Sequence, residues 1–271
     1  MAIVKGALQI TGGIKGVSFY TLPGNDKVFM RTKGGPKSGR MKTGKEFEKL
    51  RKHQVEWAAC VKFSQGVSWA MGYNSRLADF NVAPGWNGMG KKLMNLDTEH
   101  PVGERVIRLT RYKQVLENFS LNRNYQFNAV VRVFPTFELS RETYKASVKF
   151  PRINGTMDLL NIQRLPYYRL IISLGVASDV LFYPEETICK YQPTLRSYNG
   201  FSNSELSDWH STTSITDELT LEVKLNDSVI LRMTDEMSII MGIGIEFGNT
   251  GFAGEIAPVK RAGCSKILCI K

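Results

Sequence analysis

The residues best suited to do chemistry lie around His210. Asp208 and Trp209 precede this histidine, and hydroxyl side chains stand at Ser207 and Ser211. A hydrolase would use such an imidazole as a general base, oriented by a carboxylate, to activate a hydroxyl nucleophile. The sequence contains no nucleophile-elbow motif. His210 and Asp208 therefore define the enzyme hypothesis, whereas the segment itself is more typical of a polar loop between strands.

Signatures of a metal or cofactor site are missing from the sequence. The histidines stand far apart, and no two cysteines form a Cys-x-x-Cys pair, so zinc spacing is absent. We expect reduced thiols, mostly buried, at Cys60, Cys189, Cys264 and Cys269. Gly242-x-Gly244 lacks the third glycine of a dinucleotide-binding loop, so the pattern favours a strand that contains glycines. No catalytic, cofactor-binding or metal-binding residue is assigned, and we predict that the protein is not an enzyme.

Positive charge is concentrated in the first part of the chain. Residues 1–113 contain 20 Lys and Arg against 8 Asp and Glu, whereas residues 114–271 contain 16 against 17. Residues 27–52 alone carry ten basic residues, which are Lys27, Arg31, Lys33, Lys37, Arg40, Lys42, Lys45, Lys49, Arg51 and Lys52. Such a segment binds a polyanion, meets an acidic surface of another subunit, or is simply solvated.

An acidic stretch lies in the other half of the chain. Its members are Asp208, Asp217, Glu218, Glu222, Asp227, Asp235 and Glu236. They do not have EF-hand spacing, so calcium binding is not indicated. The stretch is either a set of solvated turns and strand edges, or the surface that receives the basic segment of a neighbouring subunit.

The elements that must position the basic segment are strands before it and a helix after it. Alternating apolar residues predict a strand pair within residues 2–32, and the glycines of residues 34–39 predict irregular structure. Thr43 and Glu46 have the spacing of a capping box. They predict a helix over residues 44–72 whose apolar side runs through Phe47, Leu50, Gln54, Trp57 and Val61 and continues with Phe63, Val67 and Trp69.

The rest of the chain divides into an irregular stretch and a strand-rich half. For residues 80–100 we expect a turn at 84–88 and a short helix near 90–96, and for 103–120 a strand and one helical turn. Apolar runs then recur about every ten residues, including 127–134, 144–150, 168–176, 219–225, 229–233 and 237–247. This spacing predicts an α+β protein with a basic N-terminal region, residues 1–122, and an antiparallel β-sandwich, residues 123–271.

Several motifs are similar to those of a family of uncharacterised proteins from Bacteroidota. They are Gly12-Gly13-Ile14-x-Gly16-x-x-Phe19-Tyr20, Arg31-x-Lys33-Gly34-Gly35-Pro36, Phe47-x-x-x-Arg51 and Glu56-Trp57, with 170–180 and 242–247 in the second half. The resemblance implies a glycine-marked strand pair, a basic loop, a helix and a β-rich second half. It implies no catalytic residues and favours a non-enzymatic protein.

We therefore predict a self-assembling structural subunit of a filament, tube, shell or phage-like particle. Polarised charge suits head-to-tail contacts between copies. The apolar chain ends suit strand addition to a neighbour's sheet, with Val4, Leu8, Ile10, Ile267, Leu268 and Ile270 as interface residues. The alternative is a nucleic-acid-binding protein that uses residues 27–52. The sequence has no membrane span and no secretory signal, so we expect the cytoplasm, or a particle or filament assembled without a cleaved signal peptide.

Overall fold

The computed structural model describes residues 2–4, 11–22, 25–32, 34–36, 38–197, 199–251 and 254–271. The chain forms two compact units, Met1–Arg51 and Lys52–Lys271. Helices and antiparallel sheets occur in separate stretches of the chain, which confirms the α+β prediction.

The N-terminal unit is built on a four-stranded antiparallel sheet of order β1-β4-β3-β2. Its strands are β1 (Ala2–Val4), β2 (Gly12–Ile14), β3 (Val17–Leu22) and β4 (Asn25–Thr32). The predicted strand pair is β3 with β4, and β1 and β2 add one strand to each side. The helix α1 (Ser38–Thr43) follows, where the sequence predicted irregular structure.

The predicted capping box does not form. Thr43 ends α1, and its hydroxyl donates to the carbonyl oxygen of Gly39 at 3.1 Å. The Glu46 carboxylate accepts a hydrogen bond from Arg40 at 2.8 Å. Gly44 therefore stands before the 3-10 turn Lys45–Phe47 without a side-chain cap, and the long helix α2 (Glu48–Ala70) starts after that turn.

Helical segments fill the first part of the second unit. After α2 come a 3-10 turn, Gly72–Leu77, and α3 (Ala83–Asn95). The predicted turn at 84–88 is wrong, because Pro84 lies in the first turn of α3, where its missing N–H costs nothing. The strand predicted within residues 103–120 is reduced to one β-bridge between Ile107 and Val180, followed by two 3-10 turns.

Two antiparallel sheets make up the β-rich half of this unit. The central sheet contains β11 (Ser202–Leu206), β8 (Tyr167–Ser178), β15 (Met237–Thr250) and β16 (Ile256–Ile270) in that order, with β12 (His210–Ser211) also paired to β8. The second sheet contains β14 (Leu219–Lys224), β6 (Lys145–Phe150) and β5 (Thr136–Ser140). Two small pairs complete the set: β9 (Val180–Phe182) with β10 (Tyr191–Pro193), and β7 (Ile153–Asn154) with β13 (Ile215–Thr216).

The central sheet is covered on both faces. Ile243 on β15 and Val148 on β6 belong to an apolar core between the two sheets. Ile240 on β15 belongs to a second core, with Phe63 of α2 and Trp86 of α3. Strands buried on both faces read as continuous apolar runs, which is why the β15 sequence shows no alternation. The sequence favoured a boundary near residue 122, but the helices before that point share a core with the central sheet. The compact division falls after Arg51 instead.

Two apolar runs predicted as strands are short helices. They are α4 (Phe127–Val130) and α5 (Asp227–Ile230). Phe127 and Val130 are both buried, at a spacing of one helical turn. Runs this short do not distinguish a strand from a helical turn, since burial on either periodicity fits them.

Candidate interaction surface

The residues of the basic segment are spread over several elements of the chain. Lys27 and Arg31 are exposed on β4, and Lys33 and Lys37 lie outside the described residues. The others belong to α1, to the 3-10 turn and to α2: Arg40, Lys42, Lys45, Lys49, Arg51 and Lys52. The unit Met1–Arg51 contains eleven Lys and Arg against three acidic residues, a net charge of +8.

Arg40 and Arg51 have partners within their own unit. Arg40 pairs with Glu46, although both side chains are largely exposed. The Arg51 guanidinium donates to the carbonyl oxygens of Met41 and Gly44 at 3.0 and 2.8 Å. Arg51 thus closes the turn between α1 and α2. It is a structural residue of its unit and less suited to bind a polyanion than Lys27 or Arg31.

An aromatic pair accompanies the basic residues of β4. Tyr20 and Phe29 are cross-strand partners, with ring centroids 5.8 Å apart and planes 28° from parallel. The Arg31 guanidinium lies 5.5 Å from the centroid of the Tyr20 ring. Residues two apart on a strand share a face, so Phe29, Arg31 and Lys27 lie on the same face of the sheet as Tyr20. The alternating residues of β3 and β4 indicate this shared face in the sequence. Charge alone defines the basic segment, however, and Tyr20 lies before it.

Only part of the apolar side predicted for α2 is buried. The buried residues of this helix include Ala59, Phe63 and Val67, which pack in the core against the central sheet. Trp57, which was expected to face the core, is 48% exposed, and Leu50 is 41% exposed. The prediction of a helix is right, and its predicted apolar side is right only in part, because Phe63 and Val67 are buried whereas Leu50 and Trp57 are exposed. α2 has two apolar sides, and the chain itself uses only one of them.

Trp69 adds to the exposed side of α2. This tryptophan is 58% exposed, and Val61, between the two tryptophans, is half-buried. At 100° per residue all three lie on the half of the helix away from Phe63. We call Trp57, Val61 and Trp69 the outward aromatic side of α2. Tryptophan is the residue most enriched among those that dominate binding energy at protein interfaces.

A buried ion cluster holds α2 in its orientation. Glu56 is 0% exposed. Its carboxylate accepts hydrogen bonds from Arg105 Nε at 2.7 Å and Nη2 at 2.8 Å, from Lys91 Nζ at 2.6 Å, and from the backbone N–H of Gly103 at 2.9 Å. Burial alone would raise the pKa of Glu56, but these hydrogen bonds outweigh it and lower the pKa well below the ordinary value. The helix is thereby tied to α3 and to the loop that follows α3.

The predicted C-terminal interface residues belong to the chain's own core. Ile267, Leu268 and Ile270 are 0%, 9% and 3% exposed. β16 is an edge strand, but the segment after α3 covers this edge, with hydrogen bonds from Asn118 N to the Ile267 carbonyl and from Ile267 N to the Phe119 carbonyl. Side chains already buried in this way are not available to a neighbouring subunit.

The predicted N-terminal interface residues lie only partly within the described chain. Val4 is in β1, which pairs with β4 in the order β1-β4-β3-β2. Leu8 and Ile10 lie outside the described residues. β1 is an edge strand of its sheet, and an edge strand can pair with another chain.

No hydrogen bond joins His210 to Asp208 or to a hydroxyl side chain in the described part of the chain. His210 is on β12, where its ring lies 5.5 Å from that of Tyr168. Burial lowers the pKa of His210, and its Nε2 has no hydrogen-bond partner within the described ranges. Asp208 is exposed, so it does not form the buried carboxylate that orients a catalytic imidazole. All four cysteines are free thiols, and burial raises the pKa of Cys60 to about 11.

One group of side chains has metal-ligand geometry. Single ligand atoms of Asp97, Glu99 and His100 lie within 4.8 Å of one another. These atoms already have protein partners: Asp97 accepts the backbone N–H of Val106 at 2.7 Å and contacts the His100 ring at 2.9 Å, and Glu99 pairs with Arg111 at 3.1 Å. We assign no metal to this group.

The acidic stretch is not a uniform acidic surface. Its seven members are all exposed, but Glu218 pairs with Lys149 and Asp227 pairs with Lys224, each at 2.7 Å. The unit Lys52–Lys271 contains 25 Lys and Arg against 22 acidic residues, a net charge of +3. A strongly acidic counterpart to the basic N-terminal unit is therefore missing from this part of the sequence.

Comparison with known proteins adds no relative. No family model matches the chain, and no match is found among the curated proteins or the solved structures. The resemblance to Bacteroidota proteins therefore stays a prediction. None of the helices in the described part of the chain is long and apolar enough to cross a membrane.

Proposed function

We propose that this protein is a non-enzymatic structural subunit that associates with copies of itself through the outward aromatic side of α2. The observation that carries the proposal is the exposure of Trp57 and Trp69 on a helix whose other side already supplies the core. An exposed tryptophan leaves a large apolar surface in water, and burying it against a partner is strongly favourable.

A second contact would allow the assembly to grow. The edge of β1 can accept a strand from another copy, because no described strand lies beyond it in the sheet order β1-β4-β3-β2. One contact through α2 alone closes a dimer. Two different contacts on each copy produce a filament, tube or shell.

The test is a pair of double variants. Trp57→Ser with Trp69→Ser removes the outward aromatic side, and Phe134→Ser with Leu231→Ser removes two apolar residues that are 85% and 84% exposed elsewhere. We expect large assemblies of the wild type and of the control at tens of micromolar, seen by light scattering and negative-stain microscopy, and smaller species of the tryptophan variant, which keeps only the β1 contact. A monomeric wild type, or unchanged assembly of the tryptophan variant, contradicts the proposal.

The second candidate function is binding of single-stranded nucleic acid by the N-terminal unit. The face of β3 and β4 that carries Tyr20, Phe29, Arg31 and Lys27 favours it. Proteins that bind single strands combine aromatic rings, on which bases stack, with cations that follow the backbone. The unit's net charge of +8 suits the same partner.

Fluorescence anisotropy with a labelled oligonucleotide tests this candidate. We expect the affinity to fall steeply as salt is raised, because each neutralised phosphate releases counterions. Arg31→Gln should weaken binding, whereas Lys145→Gln on β6 removes an exposed charge from the other unit and should not. A flat salt response, or equal effects of the two variants, excludes the candidate.

A further inference from the structure

A cleft of about 310 Å³ lies at the bulged end of the β15–β16 pair. Glu246 pairs with Gly263 and Gly248 pairs with Pro258, so Phe247 alone stands opposite residues 259–262 of β16. These extra residues loop out and form one wall of the cleft, and the 3-10 turn Gly72–Leu77 contributes the other. A volume of this size lies at the lower end of the range typical of small-molecule sites.

The bulge contains a strained residue. Arg261 has φ of 62°, a left-handed conformation that a side chain other than glycine adopts at a cost. Such outliers concentrate at binding sites, because the surrounding structure holds a side chain where the function needs it. Here the strain places a basic residue in the wall of the cleft.

A stack of cations and aromatic rings borders the cleft. The Arg76 and Arg169 guanidinium groups lie 5.2 and 5.6 Å from the Tyr73 ring centroid, and Arg169 lies 4.5 Å from that of Trp209. Glu246, which is 4% exposed, pairs with Arg169 and accepts a hydrogen bond from the Tyr73 hydroxyl at 3.1 Å. The acidic residue of the cleft is therefore already neutralised by Arg169.

Three basic residues of the cleft keep their charge available. Arg76, Lys260 and Arg261 are exposed, and none of them has an acidic side chain within ion-pair distance in the described parts of the chain. Leu77, Pro258 and Ala262 add apolar surface beside them. A ligand that fits must carry more than one negative charge together with an uncharged portion, because a single carboxylate would leave two of the cations uncompensated.

We propose that this cleft binds a small organic phosphate, with Arg76, Lys260 and Arg261 on the phosphate and the apolar wall on the organic portion. Arginine is the side chain best matched to phosphate, since its planar fork donates two parallel hydrogen bonds. The site shares no residue with the outward aromatic side of α2 or with the N-terminal sheet, and it does not depend on self-association or on nucleic-acid binding.

Isothermal titration calorimetry of the full chain with adenosine monophosphate and with adenosine tests the site. We expect the phosphate ester to bind and the nucleoside to bind at least about tenfold more weakly, a difference of about 1.4 kcal/mol. Pyrophosphate as a third probe separates recognition of the phosphate from recognition of the organic portion. Failure of both phosphate probes to bind at millimolar concentration overturns the proposal.

Arg261→Gly is the decisive variant. Glycine adopts φ of 62° without strain, so the variant removes the charge while keeping the bulge and should fold at least as stably as the wild type. We expect it to weaken phosphate binding at least about tenfold, and Arg76→Gln to do the same. Lys145→Gln with Lys149→Gln removes two charges from β6 and should leave binding unchanged. Equal loss in this control would show nonspecific attraction to a basic protein and would overturn the site.

Discussion

Glu56 shows how a single carboxylate can determine the orientation of a helix. A buried carboxylate is costly unless hydrogen bonds replace the water it has lost. Glu56 receives these hydrogen bonds from Arg105, Lys91 and Gly103. Its partners come from α3 and from the loop after α3. Rotation of α2 about its axis would therefore separate Glu56 from them and leave an unpaired carboxylate in the core. The outward aromatic side of α2 is exposed for the same reason, since the buried carboxylate holds the opposite side inward.

Glu56→Gln should therefore be strongly destabilising. We expect the free energy of unfolding at neutral pH to fall by about 3 to 5 kcal/mol, because Lys91 and Arg105 lose their charged partner. The folded-state pKa of Glu56 lies below its ordinary value of 4.5, so its contribution is full above that pH and is lost as the pH falls toward the folded-state pKa. The variant should show a shallower loss of stability in acid. Denaturant titrations across pH measure both effects.

Glu99→Gln is the matched control. Glu99 also pairs with arginine, but its side chain is 57% exposed. Exposed ion pairs contribute little to stability, so we expect the free energy of unfolding to change by no more than about 1 kcal/mol. The loss of stability in acid should match that of the wild type. Similar effects of the two substitutions would mean that the Glu56 cluster does not hold the helix.

At the scale of elements, the sequence predicts α2 but only part of its buried side. The apolar pattern runs through Leu50 and Trp57 as well as Phe63 and Val67, and periodicity places them all on the core side. The structure buries Ala59 with Phe63 and Val67, because small side chains let the helix backbone approach the central sheet. Periodicity identifies a helix with an apolar side, but it does not tell an internal contact from an external one.

Phe63→Ala and Trp57→Ala test this orientation. Phe63 is 2% exposed, and truncating it leaves a cavity between α2 and the sheet that should cost about 3 to 5 kcal/mol. Trp57 is half exposed, so its truncation should change the free energy of unfolding of the monomer by about 0.5 kcal/mol or less. Chemical denaturation at low protein concentration provides both numbers. The reverse order of effects would mean that Trp57, and not Phe63, faces the core.

Glycines of β15 let the 3-10 turn after α2 pack on the sheet. A Cβ on Gly244 would lie 2.1 Å from Asn74 Oδ1 and 2.8 Å from Leu77 Cδ1. Gly244→Ala should therefore lower the free energy of unfolding by about 1 to 3 kcal/mol. Gly88→Ala in α3 meets no atom within 4 Å and should raise it by about 0.5 to 1 kcal/mol. Thermal unfolding compares the two, and a stabilising Gly244→Ala would contradict the close approach.

For the whole molecule, charge counting predicted a basic end but not the contact that would meet it. The excess of positive charge in the first 51 residues is a property of composition and can be read directly. The expected acidic counterpart depends on which side chains pair with each other, and Lys149 and Lys224 neutralise two of its members. The C-terminal strand was expected at an interface because it is apolar. Apolar residues are equally suited to the core of the chain's own sheet, and Ile267 is fully buried there.

The dependence of assembly on salt separates apolar contacts from charged ones. The chain carries a net charge of +11, so copies repel one another at low ionic strength. If the outward aromatic side of α2 is the contact, raising salt screens this repulsion and should shift sedimentation toward larger species. The variant Trp57→Ser with Trp69→Ser should lack this shift toward larger species as salt is raised. Assemblies that dissociate as salt is raised would instead indicate contacts between basic and acidic surfaces, and would exclude α2 as the main interface.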